Sequence, residues 1–373
     1  HEQSEDCLSL TITTPGVNGA RPVLVWFHGG AWVSGAGNWK CYGGHRLARE
    51  GDLVVVAVNY RLGMLGYLRS PGVSEGNLGL ADQLAALQWV RDNIAAFGGD
   101  PDVVTIAGQS AGAHAVQCLV GMPKARGLFR RAIVESSPAG LGLGNSRAAR
   151  RAATRFRRYL DGTPQTAPAS AILTAQSKVA STSAGRLQLN IATGVTPVPG
   201  VEPLPDEVGW LAEVNSRAPG LDVIIGNTAR EMAAFYALNP GLLRLRRIPL
   251  VGPAAANGVE RVVGAAVFGR PGRRLARQLS RAGARVWMYR FDYAAPASPF
   301  GAAHCIELPF LFGTDADWEK APMLAGADPK DLDTLGRRMR AAWLGFIRTG
   351  APPSDLKWPQ HTAATPTVYR WDV

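Results

Sequence analysis

Apolar runs and stretches with helical periodicity alternate along the first part of the chain. Runs rich in Val, Leu, Ile and aromatic residues occur at Val23–Phe27, Leu53–Tyr60 and Val103–Ala107. Strands that are covered on both faces have such runs instead of a polar–apolar alternation, so these runs predict strands of a parallel sheet. Between the second and third runs, apolar residues recur at helical spacing over Leu80–Ile94, and a Gly-Gly pair follows. That stretch predicts a helix.

The same alternation continues toward the C-terminus. Further strands are predicted at Arg131–Glu135, Leu221–Gly226, Val286–Phe291 and Thr367–Trp371, and helices at Ala111–Val120, Arg273–Gly283 and Asp331–Arg348. The stretch Ser146–Arg217 is richer in Ala, Arg, Ser, Thr and Pro, and it predicts helices and loops. We therefore predict an α/β fold with a doubly wound, mostly parallel sheet. Residues 1–373 form one domain in this prediction, and residues 146–217 form a helical cap inserted into it.

The charge balance is strongly basic, with a net charge of +11 and a pI near 9.9. Such a balance can indicate an anionic partner, but here the arginines are scattered. The densest cluster, Ser146–Leu160, predicts a helix with Ser146 as N-cap and Phe156, Tyr159 and Leu160 as a buried stripe. A solvated helix face explains the cluster, and an anion-binding role is the alternative. No zinc-finger, RNA-recognition or phosphate-loop pattern supports that alternative, so we expect no nucleic-acid partner.

Targeting signals are weak in this sequence. No apolar run approaches the ~18 residues of a membrane span, so we expect no stable membrane insertion. Without a signal-peptide pattern we expect a cytoplasmic protein. The chain starts abruptly at His1, so we also expect an incomplete N-terminus, which leaves secretion open. Four cysteines, at positions 7, 41, 118 and 305, show no C-x-x-C pair or zinc-ligand spacing, and their pairing stays open. The oligomeric state is also undecided.

Ser110 lies between two glycines where a predicted strand meets a predicted helix, in the sequence GQSAG. A nucleophile elbow needs this setting, because small neighbours permit the sharp turn that exposes a serine hydroxyl. The N–H of Ala111 would then point at an oxyanion, and the helix N-terminus would add partial positive charge. The alternative is a tight loop that needed small residues.

A second feature is the strand end VWFHGGAWVSG, at Val25–Gly35. The backbone N–H groups of Gly29 and Gly30 could complete an oxyanion hole with that of Ala111. Taken alone, the two glycines would indicate an ordinary turn. Together with Ser110, they favour an enzyme that stabilises a tetrahedral intermediate.

The stretch FGGDPDVVTIAGQSAG, Phe97–Gly112, resembles the active-serine signature of the type-B carboxylesterases, the family that includes the cholinesterases. SEDCL, Ser4–Leu8, is similar to the second signature of that family, although Ser9 replaces the usual aromatic residue. The similarity is dense from Ser4 to Ser137 and returns in two short later blocks. It implies the α/β-hydrolase fold and the hydrolysis of carboxylic esters.

Those later blocks supply two further residues by resemblance. GNTAREMAAF places Glu231 at the position of the family's acid, and GAAHCIELPFLFG places His304 at the position of its base. The order Ser110, Glu231, His304 is that of the fold. Other histidines compete for the role of base, namely His28, His45 and His114, and Asp292 or Glu307 could replace Glu231 as the acid.

The resemblance thus implies a serine carboxylesterase that hydrolyses small-molecule esters of short to medium acyl chains through an acyl-enzyme. It needs no cofactor and no metal. Gln109 replaces the glutamate of cholinesterases, which argues against choline esters, and Arg61 and Asp82 match a structural salt bridge. The alternative is a non-catalytic, cholinesterase-like binding protein, although such relatives typically lose the serine.

Overall fold

One sheet of eight strands forms the centre of the molecule, as seen in a computed structural model that describes residues 4–183 and 194–372. The strands are β1 (Leu10–Thr13), β2 (Arg21–Phe27), β3 (Val54–Val58), β4 (Gly99–Gln109), β5 (Arg131–Glu135), β6 (Asp222–Thr228), β7 (Arg285–Phe291) and β8 (Tyr369–Trp371). Their order is β1-β3-β2-β4-β5-β6-β7-β8, and β1 is antiparallel to β3 while every other pair is parallel. This confirms the predicted doubly wound, mostly parallel architecture.

Helices cover both faces of the sheet. The described residues form α1 (His45–Gly51), α2 (Gly63–Tyr67), α3 (Leu78–Asn93), α4 (Ala111–Val120), α5 (Ser146–Tyr159), α6 (Ala169–Ser183), α7 (Glu207–Arg217), α8 (Ala233–Tyr236), α9 (Pro240–Arg246), α10 (Gly252–Gly264), α11 (Arg270–Arg281), α12 (Leu308–Leu311), α13 (Asp315–Trp318) and α14 (Pro329–Thr349). In β2, Val23, Val25 and Phe27 pack into the core on the side of α3, α4 and α11. Leu24 and Trp26 pack into the other core, with α1, α12 and α14. Both faces are therefore buried, which explains the uninterrupted apolar runs.

Two local expectations need correction. The edge strand β1 was not predicted, because its four residues are only partly buried and carry no long apolar run. Helix α5 is capped by Asn145 and not by Ser146: the Asn145 side chain accepts a hydrogen bond from the N–H of Ala148 at 2.9 Å. Ser146 is instead the first residue of the helix. Part of the predicted cap, residues 184–193, lies outside the described residues.

Candidate active site

Ser110 occupies a strained turn at the carboxyl end of the sheet. Strand β4 ends one residue before it and α4 begins one residue after it, and its backbone has φ +58° and ψ −121°. Such a φ is uncommon for a residue other than glycine and must be held by its surroundings. The flanking glycines permit it: a Cβ on Gly112 would lie 1.9 Å from the carbonyl oxygen of Phe27, and one on Gly108 would lie 2.5 Å from the backbone of Gly112.

The loop after β2 lies directly against this turn. A Cβ on Gly29 would lie 3.1 Å from the Cβ of Ser110, so only glycine leaves room for the contact. Gly30 has φ +125°, and Ala31 and Trp32 continue with φ +54° and +63°. These three successive residues with positive φ form a tight reversal of the chain beside Ser110. Gly29 thereby lies against the turn that leads from Ser110 into α4.

Glu231 and His304 meet from the loops that follow β6 and β7. The Nδ1 of His304 lies 2.5 Å from the Oε2 of Glu231, and both side chains are buried. The other carboxylate oxygen, Oε1, accepts two hydrogen bonds of 2.7 Å, from the N–H of Thr228 and the hydroxyl of Ser136. The carboxylate is therefore fixed, and it orients the imidazole. With Nδ1–H donated to Glu231, the Nε2 of a neutral ring is left as a hydrogen-bond acceptor.

The free nitrogen of His304 faces the serine turn. Its Nε2 lies 3.1 Å from Nε2 of the Gln109 side chain, so the side-chain amide donates a hydrogen bond to the imidazole lone pair. Gln109 is the residue immediately before Ser110. In the described part of the chain, no hydrogen bond joins the hydroxyl of Ser110 to His304 directly. The structure thus brings Glu231 and His304 into contact and places the imidazole against the residue next to Ser110.

The competing histidines have different surroundings. His28 and His114 are buried, each ring contacts a backbone carbonyl, and burial lowers the pKa of both to about 4. Both rings are therefore neutral near pH 7, and neither contacts a carboxylate. His45 is exposed at the start of α1. Among the histidines that the structure describes, His304 alone is paired with a carboxylate.

Asp292, one of the alternative acids, and the expected salt bridge of Arg61 with Asp82 both form ion pairs that do not involve His304. Asp292 accepts hydrogen bonds from Arg290 at 2.7 Å and Arg370 at 2.6 Å, so its carboxylate is engaged away from His304. Arg61 and Asp82 form a two-pronged ion pair with contacts of 2.8 and 2.6 Å, as the sequence suggested.

A second buried carboxyl group lies beneath Glu231. Glu307 is fully buried, its Oε1 lies 3.5 Å from the hydroxyl of Ser136, and its Oε2 has no partner among the described residues. Burial, and next the charge of Glu231, raise the pKa of Glu307 to about 7. Burial and the nearby Glu307 also raise the pKa of Glu135, whose Oε1 accepts a hydrogen bond from the indole of Trp343 at 2.8 Å. Glu307 and Glu135 are therefore more costly to ionise than ordinary carboxyl groups.

This carboxyl group makes stability depend on pH. Between its unfolded pKa of 4.5 and its folded pKa of about 7, the folded chain holds a proton on Glu307 that the unfolded chain releases. The free energy of unfolding therefore falls as pH rises through that window, by up to about 3 kcal/mol. In a Glu307→Gln variant, the glutamine side chain keeps the shape of glutamate, and its amide cannot ionise. We expect it to melt at a higher temperature than the wild type at about pH 8, with little difference at about pH 4.

Thermal melting by circular dichroism at several pH values measures this effect. An exposed substitution, Glu319→Gln, serves as the matched control, because that side chain lies at the surface. Parallel pH profiles of melting temperature for the wild type and Glu307→Gln would show that the Glu307 carboxyl does not titrate in the expected window.

Aromatic rings surround the imidazole. The ring centroids of Phe235 and Phe268 lie 5.2 and 5.1 Å from that of His304. Phe268 is buried, whereas Phe235 is 43% exposed and faces solvent beside the site. Trp32 packs edge-on against His114, with ring centroids 5.2 Å apart. The site is thus lined by apolar rings around a few polar groups, as is usual for small-molecule sites.

Sequence reasoning missed several residues of this arrangement. Ser136 and Thr228 hold the carboxylate of Glu231, and Gln109 contacts His304. Ser136 directly follows β5 and has φ +52°. A polar residue just after a buried parallel strand is a usable signal, because ligands bind at the carboxyl ends of such strands. The left-handed backbone of Ala31 has no comparable signal in the sequence.

Within residues 4–183 and 194–372, no group of His, Cys, Asp or Glu side chains has the arrangement that would hold a metal ion. No helix in the same ranges is long and apolar enough to cross a bilayer. All four cysteines are unpaired.

A doubly wound sheet whose strained serine joins a central strand to a buried helix defines an α/β hydrolase. A profile of the Carboxylesterase family matches residues 1–243 and 252–372, so the chain belongs to that family. It is a carboxylic ester hydrolase, and the non-catalytic binding protein is not favoured.

Known relatives agree with this assignment. The chain is 48% identical to a probable N-octanoylanthranilate hydrolase, AqdA2, from Rhodococcus erythropolis, over 96% of this chain and 80% of the relative. It is 34% identical to the para-nitrobenzyl esterase of Bacillus subtilis (strain 168), over 97% of this chain and 78% of the relative. A solved structure of a PNB esterase superimposes with a TM-score of 0.82 at 32% identity, covering 99% of this chain and 80% of that one.

Proposed function

We propose that Ser110, His304 and Glu231 act as nucleophile, general base and orienting acid in the hydrolysis of carboxylic esters with short to medium acyl chains. The observation that carries this proposal is the 2.5 Å contact between Glu231 and His304, with the other ring nitrogen facing the strained turn of Ser110. A fixed carboxylate behind an imidazole is the arrangement that activates a serine hydroxyl.

The first half of the reaction acylates the serine. A rotation of the Gln109 side chain frees Nε2 of His304, which then accepts the proton of the Ser110 hydroxyl as its oxygen attacks the ester carbonyl. The N–H groups of Gly29, Gly30 and Ala111 stabilise the resulting oxyanion, and Glu231 stabilises the imidazolium. The tetrahedral intermediate collapses when the imidazolium gives its proton to the leaving alcohol, which leaves an ester on Ser110.

The second half releases the acid. Water takes the place of the alcohol and gives a proton to His304 as it attacks the acyl-enzyme. Collapse of the second intermediate returns that proton to Ser110 and frees the carboxylic acid. No step draws on a group beyond the chain, the ester and water.

Medium acyl chains are supported by two observations. The rings of Phe235 and Phe268 give the site an apolar wall beside His304. The relative with 48% identity bears the name of a hydrolase of an octanoyl amide. That relative also favours a second candidate function, the cleavage of an N-acyl aryl amide at the same serine.

A substrate panel tests both candidates. We expect kcat/KM for p-nitrophenyl esters to peak between the acetate and the octanoate and to fall for the laurate. N-octanoylanthranilate and octanoyl anilide, compared with p-nitrophenyl octanoate, measure the amide candidate. Preference for the laurate would contradict the proposed chain length, and turnover of the amides at a kcat/KM comparable to the octanoate ester would favour the second candidate.

A further inference from the structure

Residues 238–251 expose an unusual amount of apolar surface. Leu250 is 98% exposed and Leu238 is 85% exposed, and Leu243, Ile248 and Val251 are also exposed. Large apolar side chains that gather at one place on a surface usually mark a contact site, because isolated ones need no explanation and clusters do. We call this stretch the 238–251 segment; it contains α9 and the turn that leads to α10.

The charge of this surface has one sign. Between Glu231 and Glu260 the sequence has no Asp or Glu, and it has three arginines, Arg244, Arg246 and Arg247. Arg246 lies 3.8 Å from Glu260, which is buried and already held by Arg230. Arg244 and Arg247 make no ion pair with any described residue. The segment thus combines protruding leucines with two arginines that pair with no acidic group among the described residues.

A small hydrophobic core, separate from the two large ones, holds the 238–251 segment in place. Met232, Tyr236, Leu242 and Phe268 pack together, and the side chain of Asn239 caps α9 by accepting from the N–H of Leu242 at 2.9 Å. Leu242 fixes the buried side of α9, Leu243 on the same helix is exposed, and the strongly exposed Leu238 and Leu250 lie on either side of that helix in the chain.

The 238–251 segment also begins close to the active site along the chain. Phe235, three residues before it, contacts the ring of His304. The family profile matches residues 1–243 and 252–372, so residues 244–251 fall between the two matched ranges.

We propose that the 238–251 segment docks on the surface of an anionic lipid bilayer. Leu238, Ile248 and Leu250 enter the boundary between headgroups and acyl chains, while Arg244 and Arg247 contact lipid phosphates. Apolar side chains beside cations, on an element too short to span, are the chemistry of interfacial binding. Docking turns the mouth of the site beside Phe235 toward the membrane, so that esters dissolved in lipid reach Ser110; this last clause rests on the proposed function.

Other surfaces of the chain provide matched controls. Helix α11 carries five arginines, of which Arg273 and Arg277 are exposed, whereas the two leucines of that helix are buried. Val208 on α7 is a 78% exposed apolar side chain without adjacent arginines. Substitutions there remove two arginine charges, or one strongly exposed apolar side chain, away from the segment.

The experiment is co-sedimentation of the purified chain with vesicles of phosphatidylcholine alone or mixed with phosphatidylglycerol. We expect binding to the mixed vesicles that weakens with added salt, and little binding to phosphatidylcholine alone. Leu238→Asp/Leu250→Asp and Arg244→Gln/Arg247→Gln should each lower the partition coefficient about tenfold or more. Val208→Asp and Arg273→Gln/Arg277→Gln should leave it within about twofold.

Three results would overturn the proposal. The first is equal binding to neutral and anionic vesicles or no binding to either. The second is an equal loss in Arg273→Gln/Arg277→Gln, which would mean that general basicity suffices. The third is a dimer by size-exclusion chromatography that Leu238→Asp/Leu250→Asp dissociates, which would make the surface an interface between two copies.

Activity separates this proposal from the proposed function. All four variants should hydrolyse p-nitrophenyl acetate in vesicle-free buffer at the wild-type rate, because none alters the site. With p-nitrophenyl octanoate dissolved in the mixed vesicles, only the variants of the 238–251 segment should be slower. Vesicle binding without any esterase activity would reject the proposed function and leave the docking surface in place.

Discussion

Replacing Ser110 with alanine is expected to reduce kcat for p-nitrophenyl acetate by roughly 10⁵-fold or more, because the acyl-enzyme can no longer form. The hydroxyl has no hydrogen-bond partner among the described residues, so its loss leaves no buried group unsatisfied. Alanine adopts the strained backbone about as readily as serine. The melting temperature should therefore stay within a few degrees of the wild-type value.

Steady-state hydrolysis and labelling with a fluorophosphonate probe measure this prediction. The wild type should be labelled at Ser110, and Ser110→Ala should not. Ser137→Ala is the matched control, because Ser137 lies near the site and bonds to Gln117 at 2.9 Å without contact to Glu231 or His304. Retained turnover in Ser110→Ala would mean that another group is the nucleophile.

Glu231→Gln is expected to lower kcat by roughly 10³- to 10⁴-fold. The Oε1 position accepts from Thr228 and Ser136, so the amide oxygen of glutamine will occupy it and the amide nitrogen will face His304. The imidazole must then accept at Nδ1 and carry its proton on Nε2, where it cannot take the proton of Ser110. The change is isosteric, so the loss is one of tautomer and charge and not of packing.

The measurement is kcat and KM for p-nitrophenyl acetate together with a thermal melt. We expect KM and the melting temperature to change little. Glu307→Gln is the matched control, since it alters a neighbouring buried carboxyl that does not bond to His304. A kcat near the wild-type value in Glu231→Gln would mean that the Glu231 carboxylate is not the acid that orients His304.

The strands were predictable because a strand that is buried on both faces has an uninterrupted run of apolar residues in the sequence. Val23–Phe27 is entirely apolar, the three central residues of Arg131–Glu135 are apolar, and the structure places strands in both stretches. The four-residue β1 has no such apolar run, because it lies at the edge of the sheet and is held by pairing with β3. The division into one domain with a cap at residues 146–217 stays a prediction.

The site was only partly predictable, for a different physical reason. Local turn chemistry indicates Ser110, since a small-residue turn between strand and helix is encoded within a few positions. The contacts of Ser136 with Glu231 and of Gln109 with His304 join residues 95 and 195 positions apart. Only the order in which the strands pair brings such residues together, and no local pattern encodes it.

That strand order also sets when activity can first arise during synthesis. From β5 onward, each strand pairs with the one made just before it, so the sheet can grow at its edge as the chain leaves the ribosome. The imidazole of residue 304 follows β7, and the helix that supports this end of the sheet, α14, comes later still. The nascent chain therefore carries its serine long before its base, and hydrolysis is a late reporter of complete folding, suited to following chaperone-assisted maturation.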